Sequence, residues 1–281
     1  MSTVQIRKAT PHDEVNIIEL LKKFYPATEY WRRIFLPRPW KIENDFPGYV
    51  VTTEDNIVGF LGTLFSEQQT SQGTATLGNL TSWYIEPEYR QHSMALFFEA
   101  MKLPNVTWTN LTSAPHVYAW LSRAGFKTLE DKRTYILPIP AFSRQKQAIQ
   151  LKIDIEESDL NPVQRLVYQH HLGLRCRHIL IKSGSESCYC LVVITKYKKI
   201  PRANIYYISN RELFGKAIRD IRVKLCRKLG VMYLVAEGNF HNNKMLGVWS
   251  SEIYPPRLYK SNVLSKEDIT LLYSELFVLG F

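Results

Sequence analysis

"IEPEYRQHSMALFFEAM", residues 85–101, is predicted to end a strand and to begin an amphipathic helix, with only a short turn between them. Pro87 ends the strand, and apolar residues then recur with helical spacing. The turn carries Arg90, Ser93 and Ala95, one positive charge and two small side chains. Because a helix N-terminus presents unpaired backbone N–H groups and a partial positive charge, this turn favours binding of a phosphate group.

The length and composition indicate a globular protein. The chain has 281 residues, of which 45% are hydrophobic and 22% charged, enough to form one or two sizeable cores. At the usual domain size this length predicts two domains. The N-terminal residues are polar and no apolar run approaches about 20 residues, so we expect no membrane span, no signal peptide and a cytoplasmic location.

The net charge of +10 favours anionic partners, which include a phosphorylated cofactor, nucleic acid and an acidic membrane surface. The strongest basic segment is "GKAIRDIRVKLCRKLG", residues 215–230. Its apolar stripe is typical of a helix that packs on a sheet, and its basic face is then simply solvated. We therefore do not expect nucleic acid as a partner.

The four cysteines all lie in the second half of the chain. Cys188 and Cys190 are two residues apart in a predicted strand, which places them on one face and fits no common zinc pattern. His170 and His171 have no third ligand at metal spacing. We therefore predict buried free thiols and no metal site.

Both halves of the chain show nearly the same order of predicted elements. The first half is predicted as β-α-β-β-β-α-β-α-β, and a similar order starts again at residue 151 after the Pro-containing, polar segment 138–150. The sequence therefore predicts a duplicated fold, with one domain at residues 1–140 and a second at residues 150–281.

This element order, together with "YIEPEYR" (84–90) and "YAWLSRAGF" (118–126), resembles the GNAT superfamily of acyl-CoA-dependent N-acyltransferases. The resemblance implies an α/β fold of two GNAT-like domains in tandem, each a twisted mixed sheet flanked by helices. It also implies acetyl-CoA or another acyl-CoA as the cofactor and an amine as the acceptor.

In the GNAT superfamily the turn reads Arg or Gln, two residues, Gly, one residue, then Gly or Ala, and its backbone N–H groups hold the pyrophosphate of coenzyme A. Arg90 and Ala95 match this pattern, and Ser93 stands where Gly is usual. The resemblance therefore implies that the cofactor is bound by Ile85, Arg90, Gln91, His92, Ser93, Met94 and Ala95.

The second half carries a poorer copy of this turn, "NRELFGKA", residues 210–217. Gly215 and Ala217 align with the two small positions, but Glu212 stands where the superfamily has Arg or Gln. A carboxylate there would repel a phosphate, so we expect the cofactor in the first half.

The resemblance also implies a carboxylate on the strand before the turn and a Tyr on the following helix. The strand "TATLGNLTSWYI", residues 74–85, contains no Asp or Glu, and the Tyr position holds Leu121. Tyr118 lies one helical turn earlier, near the same face, and is our candidate for the acid that protonates the leaving thiolate. The alternative is a packed aromatic ring.

Glu237 and His241 follow a predicted central strand of the second half, where α/β sheets place their ligand crevices. A Glu and a His within hydrogen-bond reach would serve to deprotonate an amine. The alternative is a polar loop without function. "PPRLYKSN", residues 255–262, is interpreted as an exposed hairpin segment.

The sequence thus favours an acyltransferase that moves an acyl group from acyl-CoA to an amine. The alternative is a non-catalytic GNAT-like module that binds an acyl-CoA or a protein partner. The sequence assigns neither the acceptor nor the oligomeric state.

Overall fold

The computed structural model describes residues 4–40, 42, 45–54, 56–140, 149–238 and 245–281. The chain forms two compact units. Unit 1 consists of the chain up to Leu129 together with Arg257–Ile269 and Tyr273–Leu279. Unit 2 consists of Glu130–Pro256 together with Thr270–Leu272 and Gly280–Phe281.

The first half begins with a short strand and two helices, and the long connection between α2 and β2 leads into the sheet. A 3-10 turn at Pro11–Asp13 leads into the first helix. In chain order the elements are β1 (Gln5–Lys8), α1 (Glu14–Lys22), α2 (Thr28–Arg32), β2 (Gly48–Thr52), β3 (Ile57–Thr70), β4 (Gly73–Ile85), α3 (Ser93–Met101), β5 (Val106–Asn110), α4 (Pro115–Arg123) and β6 (Lys127–Ile136).

The second half repeats much of this order. Its elements are β7 (Ile149–Lys152), α5 (Pro162–His171), β8 (Arg177–Ser183), β9 (Glu186–Tyr197), β10 (Ile200–Ile208), α6 (Arg211–Leu229), β11 (Tyr233–Glu237), β12 (Val248–Lys260) and α7 (Glu275–Val278).

Each unit contains a mixed sheet. In unit 1 the strand order is β1-β2-β3-β4-β5, and Leu258–Lys260 of β12 pair with β5. In unit 2 the order is β6-β11-β10-β9-β8-β7. Among the pairings of the described residues, β4 with β5 and β10 with β11 are the parallel ones, so each unit has one parallel pair.

Helices cover the sheets through apolar faces. In unit 1, α3 and α4 pack on the sheet through Leu96, Phe97 and Leu121, each at most 1% exposed. In unit 2, α6 buries Leu213, Phe214 and further apolar residues against β8–β11. At roughly 1.5–3 kcal/mol per buried large apolar side chain, these faces are a main source of the stability of both units.

The predicted α/β class, with mixed sheets flanked by helices, is confirmed. Three details of the prediction were wrong. Helix α2 was not predicted, because five residues give too short a period to detect. The helical segment was predicted from Gly215, but helix α6 begins at Arg211. The side chain of Asn210 accepts a hydrogen bond of 2.9 Å from the backbone N–H of Leu213 and caps the helix at this earlier position.

The third wrong detail is the segment 255–262. It was interpreted as an exposed hairpin, but it continues strand β12 to Lys260, and Arg257 and Tyr259 are buried. The compact units also differ in content from the predicted ranges 1–140 and 150–281, since most of the segment 257–279 belongs to unit 1. The domain ranges themselves stay a prediction.

Candidate active site

Strand β4 carries one extra residue relative to its neighbour β3. Phe60 pairs with Tyr84, whereas Gly62, two residues later, pairs with Thr81, three residues earlier. Ser82 lies inside this bulge and has a φ of 50°, a left-handed conformation that is uncommon outside glycine. A bulge bends its strand and increases the local twist, so β4 turns away from the plane of the sheet near its carboxyl end.

The parallel pairing of β4 and β5 stops where this bend begins. Thr76–Asn79 pair with Val106–Thr109, and β4 then continues six residues further, to Ile85, without β5. The Nδ2 atom of Asn110 donates a hydrogen bond of 3.2 Å to the carbonyl oxygen of Leu80 across the opening. We call this opening the fork. Carboxyl ends of neighbouring parallel strands are where α/β sheets place ligand crevices.

The turn after β4 is helical. Pro87–His92 form a 3-10 helix that runs directly into α3, and the backbone N–H of Ser93 donates to the carbonyl oxygen of Arg90. The predicted short turn is thus a helical turn closed by local hydrogen bonds. The physical reason is that residues 88–95 contain no glycine, so nothing favours the left-handed backbone conformations that an open, anion-binding turn uses.

The predicted cofactor-binding residues lie along this helical turn. Ile85, at the end of β4, is buried, and His92 and Ser93 are half-buried. Exposed are Arg90, Gln91, Met94 and Ala95. The structure therefore gathers the residues at one end of the parallel strand pair, and their role in binding acyl-CoA stays a prediction.

Tyr118 lies in the first turn of α4 and is half-buried. Its ring packs against the apolar core of unit 1, which also holds Leu121, fully buried one helical turn later. This packing agrees with the alternative interpretation of Tyr118 as a packed aromatic ring. Its proposed acid role stays a prediction.

Glu237 ends β11 in unit 2 and is 4% exposed. Its Oε1 atom accepts a hydrogen bond of 2.9 Å from Nε of Arg133 on β6. His241, its predicted partner, lies outside the described residues, so the predicted Glu–His pair stays a prediction. Arg133 is thus one observed partner of Glu237.

The structure of this chain is similar to solved structures of GCN5-related N-acetyltransferases. The chain aligns with a GCN5-related N-acetyltransferase from Anabaena variabilis ATCC 29413 at a TM-score of 0.60 and 12% identity, over 92% of this chain and 72% of that one. A GCN5-related N-acetyltransferase from Kribbella flavida gives 0.57 and 11%, over 92% and 70%. Eis1 from Mycobacterium abscessus gives 0.53 and 10%, over 92% and 73%.

The chain has the GNAT fold. No family model matches its sequence, and no curated protein sequence matches it either. At identities near 12% the likeness concerns the fold and not the chemistry, so the site has to be judged from its own residues.

One carboxylate at the fork of unit 1 was missed by the sequence analysis. The backbone N–H of Glu275, at the start of α7, donates a 2.9 Å hydrogen bond to Oδ1 of Asn79 on β4. The Oγ1 atom of Thr112, two residues past the end of β5, donates a 2.8 Å hydrogen bond to Oε1 of Glu275. Glu275 thus contacts both sides of the fork.

Burial changes the ionisation of this carboxylate. Glu275 is 1% exposed, and burial raises its pKa. The hydroxyls of Thr81 and Thr112 and the charge of Arg257 favour the ionised form and offset only part of the increase. The signal in the sequence was weak but present, because "LLYSELFVLGF" places a single carboxylate inside an apolar run.

The corresponding turn of unit 2 is different. Strand β10 also has a register shift, between Ile205 and Tyr207, but α6 begins only three residues after the strand ends. Gly215 and Ala217 therefore lie inside the helix, and the exposed Glu212 pairs with Lys216 at 2.5 Å. The small residues of this second copy are therefore not at the start of the helix, where a phosphate-binding turn needs them.

The cysteines and histidines form no metal centre within the part of the chain that the structure describes. All four cysteines are free, as predicted, and Cys188, Cys190 and Cys226 are buried, whereas Cys176 is half-buried. Among the described residues no helix is long and apolar enough to cross a membrane.

Proposed function

We propose that this chain is an acyl-CoA-dependent N-acyltransferase whose active site lies at the fork of unit 1. The observation that supports it most directly is the bulge of β4 at Ser82, followed by separation of β4 from β5. Separated parallel strands leave backbone groups of β4 available to an extended ligand, and the exposed, basic turn at Arg90 follows immediately. A phosphate-bearing acyl thioester matches both features.

The residues present fit an acyl-CoA only in part. Arg90 is exposed and carries the positive charge expected beside a pyrophosphate. The N–H of Ser93 is already used by Arg90, so the phosphates would rely on side-chain charge and on the remaining N–H groups of the turn. When bound, acetyl-CoA or another acyl-CoA supplies an activated acyl group, and the amine acceptor supplies the nucleophile.

In this proposal the protein acts chiefly by holding thioester and amine in contact at the fork. The groups that move protons are Tyr118, the proposed acid, and the carboxylates near the carboxyl ends of the strands. The location that we propose for the reaction is the cytoplasm.

Binding is the first test. Coenzyme A and acetyl-CoA are titrated separately into the protein while the thermal midpoint is followed. A ligand at about a hundred times its dissociation constant adds about 2.7 kcal/mol of stability, so both compounds should raise the midpoint. A 20-base-pair DNA duplex is the control for non-specific attraction to the positive charge. A rise with DNA but not with coenzyme A would contradict the proposal.

Turnover is the second test. Release of coenzyme A from acetyl-CoA is followed with a thiol reagent in the presence of spermidine, glucosamine or a peptide with a free N-terminus. Acceleration by one of these amines supports the enzyme. Binding of coenzyme A without turnover of any of them, or of water, would instead support the non-catalytic alternative.

A further inference from the structure

Thr112 and Glu275 form a pair with one member at the surface and the other in the interior. Thr112 is exposed, whereas Glu275 is 1% exposed, and the hydrogen bond between Oγ1 and Oε1 is 2.8 Å long. The hydroxyl is therefore the part of this pair that a molecule arriving from solvent meets first.

The carboxylate of Glu275 is held firmly in place. Leu276, Phe277 and Val278 follow it in α7 and are all buried in unit 1, and the carbonyl oxygen of Leu279 accepts a 3.0 Å hydrogen bond from Arg33. Removing this segment from the core would expose several large apolar side chains at roughly 1.5–3 kcal/mol each. Glu275 therefore does not leave the fork during a reaction.

The carboxylate of Glu275 is electrostatically coupled to the buried guanidinium of Arg257, but that coupling does not satisfy both of its oxygens. Its second oxygen, Oε2, is buried and makes no hydrogen bond of normal geometry among the described residues. Burying a carboxyl group with one oxygen unsatisfied costs stability, and such groups occur chiefly where a protein uses them.

The polar surroundings of Glu275 come from several elements of unit 1. Asn79 and Thr81 approach from β4 and Thr112 from the end of β5. Arg257 of β12 and Tyr30 of α2 are the titratable groups whose ionisation is coupled to it electrostatically. Burial raises the pKa of Glu275, and a carboxylate with a raised pKa is the stronger base once it is ionised.

We propose that Thr112 and Glu275 form a proton relay that deprotonates the attacking amine at the fork of unit 1. This inference rests on the proposed function and names residues that carry it out. The amine nitrogen forms its bond to the thioester carbon and gives one proton to Oγ1 of Thr112, while Thr112 gives its own proton to Oε1 of Glu275.

The remaining steps balance the reaction. The carbon–sulfur bond breaks, the electron pair stays on sulfur, and the thiolate takes a proton from solvent or from Tyr118. Glu275 returns its proton to solvent through the Thr112 hydroxyl. Strand β4 contains no carboxylate, and in this proposal Glu275 provides one. Glu275 lies 196 positions after Asn79, the residue of β4 to which it is hydrogen-bonded.

The decisive variants are Thr112→Val, which keeps the shape but removes the hydroxyl, and Thr112→Ser, which restores it. Thr112→Val should lower kcat by about 100-fold, the usual scale of acid–base assistance, with the KM for acetyl-CoA unchanged. Thr112→Ser should recover most of the activity. Thr74→Val, an equivalent change at the exposed amino end of β4, is the matched control and should have no effect.

A second variant and a second reaction keep the test independent of acceptor choice. Glu275→Gln should lower kcat similarly, and the acidic limb of the pH profile should disappear. The slow hydrolysis of acetyl-CoA in the absence of an added amine should fall in the same way, because water loses a proton to the same relay.

The outcomes separate this inference from the proposed function. If the unmodified protein transfers acetyl groups and Thr112→Val does so within about threefold of it, the relay is wrong and the acyltransferase stands. If the unmodified protein neither transfers nor hydrolyses, the proposed function fails and the relay fails with it. If Thr112→Ser is as inactive as Thr112→Val, the side chain acts through shape and the relay is also overturned.

Discussion

The Nε atom of Arg133 and the Oε1 atom of Glu237 lie 2.9 Å apart on neighbouring strands of unit 2, and both side chains are largely withdrawn from solvent. A carboxylate bound in this way is primarily part of the sheet. Any role for it in proton transfer would have to break an ion pair that unit 2 uses for stability.

Replacing one partner of this pair should therefore destabilise the protein strongly. Arg133→Met leaves a buried carboxylate without its cation and should lower the free energy of unfolding by about 3 kcal/mol. The double variant Arg133→Met with Glu237→Gln should recover most of that loss, since no charge is then left unpaired. Urea unfolding of both variants measures the difference, and equal losses would show that the pair contributes little.

Ser93→Glu should abolish binding of coenzyme A. The new side chain adds bulk and negative charge where the resemblance places the pyrophosphate, and both oppose an anion. Calorimetric titration gives the affinity, and circular dichroism verifies the fold. The control is Gln72→Glu, which makes the same change in net charge at the exposed β3–β4 turn. An unchanged affinity in Ser93→Glu would show that the cofactor does not bind at residues 91–95.

Tyr118→Phe separates catalysis from packing. If the hydroxyl protonates the leaving thiolate, turnover should fall by about 100-fold with the affinity for acetyl-CoA unchanged. Tyr89→Phe is the control, because Tyr89 packs against the same core of unit 1. A loss of stability without a specific loss of turnover would assign the Tyr118 ring to packing alone.

The ion pair of Asp13 should make the stability of unit 1 depend on pH in the acidic range. Arg7 donates two hydrogen bonds of 2.7 Å to its carboxylate, and they lower the pKa of Asp13 to about 2 from an ordinary value of 3.8. The unfolded chain binds the proton more readily, so this contribution is fully present above about pH 4 and disappears as the pH falls toward 2.

Asp13→Asn tests the sign of this effect. The variant should be less stable than the unmodified protein at pH 6, and the difference should shrink steadily as urea unfolding is repeated at lower pH. Asp131→Asn, at an exposed position, should show no comparable trend. A difference that grew on acidification would contradict the assignment.

Much of the fold was predictable because its signals are local. The long strand β3 follows from its continuous apolar run, and the amphipathic helices α3, α4 and α6 follow from spacing within ten to twenty residues. Helix α2 escaped because it has five residues. The end of strand β12 was not predicted, because the two prolines before Arg257 suggest a loop. The following residues nevertheless pair with β5.

The site was predictable only where it is contiguous in sequence. Residues 85–95 form one continuous pattern, and the structure keeps them together at the end of β4. Thr112 and Glu275 lie 163 positions apart, and the sequence contains no local feature that brings them together. Their contact arises from packing of α7 in unit 1, a long-range property that periodicity does not encode.

The assignment of Arg257–Ile269 and Tyr273–Leu279 to unit 1 also has a consequence for how the protein is made. During synthesis the first half leaves the ribosome long before the segment that completes its sheet beside β5. Until residues 257–279 have been translated, β5 lacks its pairing with β12 and the first unit lacks part of its interior. We expect this nascent chain to need protection by chaperones until that segment has been synthesised.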